Sequence, residues 1–156
     1  RQLREGEQMS ELDFYPLFEE RLKLMGYEET YTQVRIHGNL ETDVVGIKRF
    51  KEASPRAIAI EIKENDVDKV ISQAIVRRHY FNKVYGAICL RKDEAYLGFI
   101  FYKIGQRFAL LAKEEIGFLI YDEARQRIFE VVNAKMQKAY GLEKVLKALP
   151  ERTAKG

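Results

Sequence analysis

The sequence predicts an α/β domain with a mixed central β-sheet flanked by α-helices, and three observations carry that expectation. First, the run from Arg56 to Lys63 alternates with period two, placing Ile58, Ile60 and Ile62 on one face and Ala59, Glu61 and Lys63 on the other. Second, apolar residues recur at three and four residues in two stretches, Leu12–Tyr15–Phe18–Leu22–Met25 and Val67–Val70–Ala74–Phe81. Third, an apolar strand at 56–63, a helical stretch and a second apolar strand at 84–90 make a crossover unit, which sets those two strands parallel.

The elements follow in order. Residues 1 to 9 are polar with no apolar period and read as a tail. Ser10 and Asp13 signal a helix start, Gly26 a stop, so a first helix is expected from Glu11 to Met25, with Pro16 near its first turn. Tyr31 to Ile36 and Leu40 to Lys48 read as antiparallel strands around the turn His37-Gly38-Asn39. A loop from Phe50 to Pro55 leads to the strand 56–63, after which Asn65 or Asp66 caps a helix running to about Phe81. Between Ala95 and Leu111 a helix interrupted at Gly98 or Gly105 competes with a strand pair, and the helix is preferred. Ile116–Tyr121 and Arg127–Val132 form a closing hairpin. Ala134 to Leu149 reads as a basic amphipathic helix bent at Gly141 and ended by Pro150, with 151–156 as a second tail.

At 156 residues the chain is one domain, residues 1–156, able to bury a core of its own. Its 27 basic and 24 acidic side chains leave a formal charge of +3, which permits a local nucleic-acid-binding patch without demanding one. Cys89, the only cysteine, lies in an apolar run and reads as a small buried hydrophobe, which excludes an internal disulfide. No apolar run reaches about 18 residues and no basic-then-apolar leader opens the chain, so an intracellular, cytoplasmic protein without a membrane partner is expected.

The charged residues inside apolar strands carry the functional signal. Asp43 interrupts Thr42-Asp43-Val44-Val45, and Glu61 stands beside Lys63 at a strand end; such charges cost free energy unless they are paired or bound to metal. If the two runs are neighbouring strands, both carboxylates come within reach of one hard divalent ion such as Mg2+. A plain ion pair with Lys63 is the alternative. Gln73 and Arg77 lie about 40° apart on a helical wheel, at the edge of the buried arc, and Arg78 lies nearer its middle. Lys48, Arg49, Lys51 and Arg56 flank the loop between the two strands. His37 and His79 are too isolated for a zinc site. The aromatic stretch Tyr96, Phe99, Phe101, Tyr102 and Phe108 reads as core or a dimer face ahead of a base-stacking platform.

From Glu11 to Ile88, about half the chain, this order of residues resembles the PD-(D/E)xK phosphodiesterase superfamily of restriction-endonuclease-like nucleases. The resemblance rests on an acid opening the first helix (Glu11 in Glu-Leu-Asp-Phe-Tyr-Pro16), the strand-borne Asp43, the Glu61-Ile62-Lys63 strand, and Gln73 followed by Arg77. It is similar to uncharacterised members in which an acid, an aromatic and a proline open the first helix. Thr42 stands where the family has its name-giving proline. The resemblance implies a Mg2+-dependent endonuclease or exonuclease acting on DNA, with Mn2+ able to substitute. Asp43, Glu61 and the backbone carbonyl of Ile62 would hold the metal, and Glu11 would reach the metal directly or through water, with Glu19 and Glu20 as substitutes. Lys63 would orient the attacking water, Gln73 would touch Lys63 or a phosphate unless it is a surface amide, and Arg77 or Arg78, with Lys48, Arg49 and Lys51, would meet phosphates. A homodimer is expected by the same analogy. The alternative is a nucleic-acid-binding or assembly module that keeps the fold without catalysis.

Overall fold

A computed structural model describes residues 9–91 and 97–150. In chain order these form α1 (Glu11–Leu24), β1 (Glu29–His37), β2 (Leu40–Lys48), β3 (Arg56–Lys63), α2 (Val67–Arg77), β4 (Lys83–Leu90), α3 (Leu97–Gln106), α4 (Phe108–Glu114), β5 (Gly117–Asp122), β6 (Arg127–Val132) and α5 (Leu142–Ala148). The fold is α/β: six strands lie in sequence order in one sheet. β3–β4 and β4–β5 are parallel, and the other three pairings are antiparallel. Of the expected tails, 1–9 and 151–156, residues 1–8 and 151–156 lie outside the described residues, whereas Met9 packs against the core and is not part of a tail.

Alternation along β3 divides the core as the sequence implies. Ile58, Ile60 and Ile62 pack with Phe14, Tyr15, Phe18 and Leu22 of α1 on one face of the sheet. Ala57 and Ala59 pack with Val67, Val70, Ile71 and Ala74 of α2 on the other. Gly46 lets α1 sit close, since a Cβ there would lie 2.8 Å from Ile58, 3.0 Å from Tyr27 and 3.1 Å from Leu22. Gly26, at φ +97, closes α1 in the left-handed conformation that favours glycine, and Tyr27 N–H bonds back to Leu22.

Three expected elements end differently. α2 stops at Arg77 rather than Phe81, because Tyr80 N–H turns back to Arg77 O and Asn82 N–H is captured by Ala57 O of β3. The helical period runs through Phe81, which is buried, yet the backbone has already turned into β4. Residues 134–140 are not helical. Lys135 N–H bonds to Glu115 O and Gln137 N–H to Asn82 O, while the Asn82 amide donates to Gln137 O, so tertiary bonds hold this segment extended and only Leu142–Ala148 coils. The 97–114 region is helical, but it breaks at Arg107, whose guanidinium is drawn to Asp68 of α2, and not at a glycine.

The aromatic stretch is not core. Ile100, Ile104 and Leu111 are buried, whereas Phe99, Phe101, Tyr102 and Phe108 are exposed; Tyr96 lies outside the described residues. Among the described residues no helix is long and apolar enough to cross a membrane.

Candidate functional site

β2 and β3 pair from Lys48↔Arg56 to Val44↔Ile60, and there the ladder stops. The next residues, Asp43 and Glu61, stand where the two strands part. On the other side of β2, the register passes from Thr32↔Val44 to Val34↔Thr42, skipping Gln33, whose φ of 53° lies in the left-handed region. Asp43 is thus free of regular pairing with either neighbour. Its N–H donates to Glu61 Oε1 at 3.3 Å, and its own Oδ2 accepts from Ile62 N–H at 2.8 Å. The N–H and C=O of a strand residue face the same neighbour, so the Ile62 carbonyl lies on the Asp43 side of β3, beyond the last ladder bond.

Helices reach this gap from both faces. From α1, the Tyr15 hydroxyl donates to Asp43 Oδ1 at 2.9 Å. From α2, Arg77 Nε lies 2.6 Å from Glu61 Oε1, a close charge contact without the alignment of a hydrogen bond. Arg77 NH1 and NH2 donate to the backbone oxygens of Gln73 and Glu41, each at 2.7 Å. Glu61 is 2% exposed and Arg77 7%. The row Tyr15–Asp43–Glu61–Arg77 therefore threads the sheet at the point where its ladder opens.

Burial and the adjacent Asp43 carboxylate push the Glu61 carboxyl up to about 8, against the opposing pull of Arg77. A carboxylate beside another resists ionisation, and the Arg77 guanidinium against Glu61 opposes that rise. Burial and then Asp43 raise the Tyr15 hydroxyl as well, so it remains a donor.

Glu11 and Lys63 complete the cluster. Burial raises the Glu11 carboxyl above its ordinary range, Lys63 lowers it, and Asp43 raises it further, which sets all three within one electrostatic neighbourhood. Lys63 is half-buried, and among the described residues it has no ion-pair partner. The expected alternative, a Lys63 ion pair with Asp43 or Glu61, is replaced by the Arg77–Glu61 pair. Of the substitutes for Glu11, Glu19 accepts a hydrogen bond from Thr30 of β1 at 2.7 Å, and Glu20 is exposed. Gln73 is half-buried on α2, one turn before Arg77.

Of the five residues expected to meet phosphates, two are turned to protein partners and three lie at the far end of the hairpin. Arg77 is buried and turned to Glu61 and two backbone oxygens, so it orients a carboxylate and offers nothing to a phosphate. Arg78 faces away, bonding Glu114 at 2.7 Å and Gln137 at 2.7 Å. Lys48, Arg49 and Lys51 lie at the other end of the β2–β3 hairpin. Lys48 is five residues along β2 from Asp43, about 17 Å at strand rise. Arg49 is paired with Glu29 at 2.5 Å. Hairpin geometry alone separates a turn from the open ends of its strands. Tyr15 is the contributor that sequence reasoning missed; it read as an apolar helix position, although it stands four residues after Glu11 and so shares its face. Cys89 is buried, and burial pushes its thiol well above the ordinary range.

The donor set suits a hard cation: two neighbouring carboxyl side chains, with a backbone carbonyl on the same side of β3. Among the described residues no three His, Cys, Asp or Glu side chains converge, so Glu11 stands beside the pair without joining it.

No family model matches the chain, and no curated protein does. A solved structure of similar fold is a protein of unknown function, SPO1766 from Silicibacter pomeroyi, at 16% identity with a TM-score of 0.58. The match covers 91% of this chain and 85% of that one. At that identity the likeness concerns the fold alone.

Proposed function

We propose that the chain is a Mg2+-dependent nuclease of the PD-(D/E)xK type that hydrolyses DNA phosphodiester bonds. The observation that supports this reading best is the contact between Asp43 and Glu61 at the mouth of a parted strand pair, with Lys63, which has no ion-pair partner among the described residues, two residues on. A structural ion pair requires one acid and one base, and Arg77 with Glu61 supplies that. Asp43 is a second acid beside the pair, and two acids against one base favour a further cation.

Asp43, Glu61 and the Ile62 carbonyl would hold Mg2+, which when bound supplies Lewis-acid polarisation of a phosphate and a water of lowered pKa. Tyr15 orients Asp43 through Oδ1, and Ile62 N–H fixes Oδ2. Arg77 holds the Glu61 side chain, keeping it directed at Asp43 while burial excludes bulk water. Lys63, at the strand end, would orient the attacking water and stabilise negative charge developing on the phosphate. Glu11, on α1, would reach the metal or its water shell, and Gln73, on α2, would touch Lys63 or a phosphate. A homodimer would place two such sites for the two strands of a duplex.

The test is cleavage of linear and supercoiled DNA with Mg2+ or Mn2+, using wild type, Asp43→Ala and Lys63→Ala. The reading expects metal-dependent cleavage by wild type alone, with DNA binding kept in both variants. A wild type that binds DNA and never cleaves it would make the fold a binding or assembly module.

A further inference from the structure

Beside the turn end of β2–β3 lies a cavity that the proposed chemistry does not use, with Arg56 and Lys138 as its basic lining residues. It measures about 420 Å3 and is lined by Phe50, Ser54, Arg56, Asn82, Lys138 and Leu142 among others. Phe50 is 39% exposed. Lys48 Nζ stands 5.7 Å and the Arg56 guanidinium 5.4 Å from its ring centre, at the outer part of the cation–π range.

Among the described residues, Lys48, Lys51, Arg56 and Lys138 have no carboxylate within ion-pair distance, as holds for several other surface lysines. What marks this patch is that its cations gather beside an exposed aromatic and a cavity that no acid among the described residues lines; Glu52 is exposed in the neighbouring loop, and Glu29 is committed to Arg49. Cations gathered without counter-charge repel one another, and an anion relieves that repulsion. The cavity walls are also held rigidly. The Asn82 side chain ties Ala57 N–H of β3 to Gln137 O beside Lys138, at 2.9 and 3.0 Å.

We infer that this cavity binds a nucleotide unit, its phosphate on Arg56 and Lys138 and its base stacked on Phe50. The volume suits one ring-bearing unit, and an exposed aromatic among unpaired cations is the combination by which bases and phosphates are held together. The unit comes either as a free nucleotide or within a single strand. The strand version builds on the nuclease reading: about 17 Å to Asp43 is about five steps of a stacked strand, so one oligonucleotide would engage both ends of the hairpin.

The experiment is fluorescence anisotropy of labelled single-stranded DNA of twelve nucleotides, with AMP as competitor, on wild type, Phe50→Ala, Arg56→Glu and Lys138→Glu. Melting curves confirm that each variant is folded. Expected are salt-dependent binding by wild type, a loss of about fivefold or more in Phe50→Ala, and a larger loss in both charge reversals. Competition by AMP assigns the cavity to a single nucleotide; binding that AMP does not disturb assigns it to a strand. Absence of both AMP and oligonucleotide binding overturns the inference, as does binding that Phe50→Ala and Arg56→Glu leave unchanged. Equal binding of an acidic peptide overturns it too. Binding that follows this pattern without cleavage keeps the cavity and removes the nuclease, while cleavage indifferent to Phe50 and Arg56 does the reverse.

Discussion

The two ends of the β2–β3 hairpin treat charge in opposite ways. At the open end Asp43, Glu61 and Arg77 are drawn into the protein and satisfied by one another, by Tyr15 and by backbone groups. At the turn end Lys48, Lys51 and Arg56 stay at the surface without acidic partners among the described residues. Buried charges demand exact partners because desolvation is expensive, so the open end has fixed geometry suited to chemistry. Surface cations cost little and wait for a partner from solution, so the turn end suits binding.

The sharpest way to break the comparison is to remove a member of the open end. Asp43→Asn should abolish metal-dependent cleavage, a fall of about a thousandfold or more, while leaving oligonucleotide anisotropy unchanged. Lys63→Ala should lower the cleavage rate by about a hundredfold with intact metal binding, as expected for a water-orienting group. Arg77→Ala should act first on the fold, lowering stability by about 3 to 5 kcal/mol in denaturant titrations, because it strands a buried carboxylate. Tyr15→Phe removes one hydrogen bond to a carboxylate and should cost about 1 to 2 kcal/mol. The same substitution at the turn end, Arg56→Ala, should leave stability within about 0.5 kcal/mol of wild type.

The open end also has a pH signature. Glu61 titrates near 4.5 when unfolded and at about 8 when folded, a raised value. Its contribution to stability is therefore full below about 4.5 and is lost as pH rises through about 8. Metal-free wild type should lose melting temperature over that window, and Glu61→Gln should flatten the loss. A divalent ion should restore it, since metal takes the place of the proton.

Legibility followed the range of the interactions. β2 and β3 were readable to the residue, because alternation and tight turns are local signals. The end of α2 and the extended 134–140 segment were not, since Asn82 sets both through bonds to Ala57 and Gln137. Asp43 and Glu61 were legible as charges in apolar strands, and the structure brings them together. The role of Arg77 was hidden because helical spacing gives a face but no partner, and Tyr15 was hidden by its apolar ring. Placing Lys48, Arg49 and Lys51 at the site ignored that a hairpin's turn lies at the opposite end from its termini.

Calorimetric titration of Mn2+ into wild type and Asp43→Asn near pH 8 tests the cation pair most directly. One ion per chain in the wild type, lost in the variant, is the predicted result. A wild type that takes up no ion, or a variant that binds as well as wild type, would contradict the account.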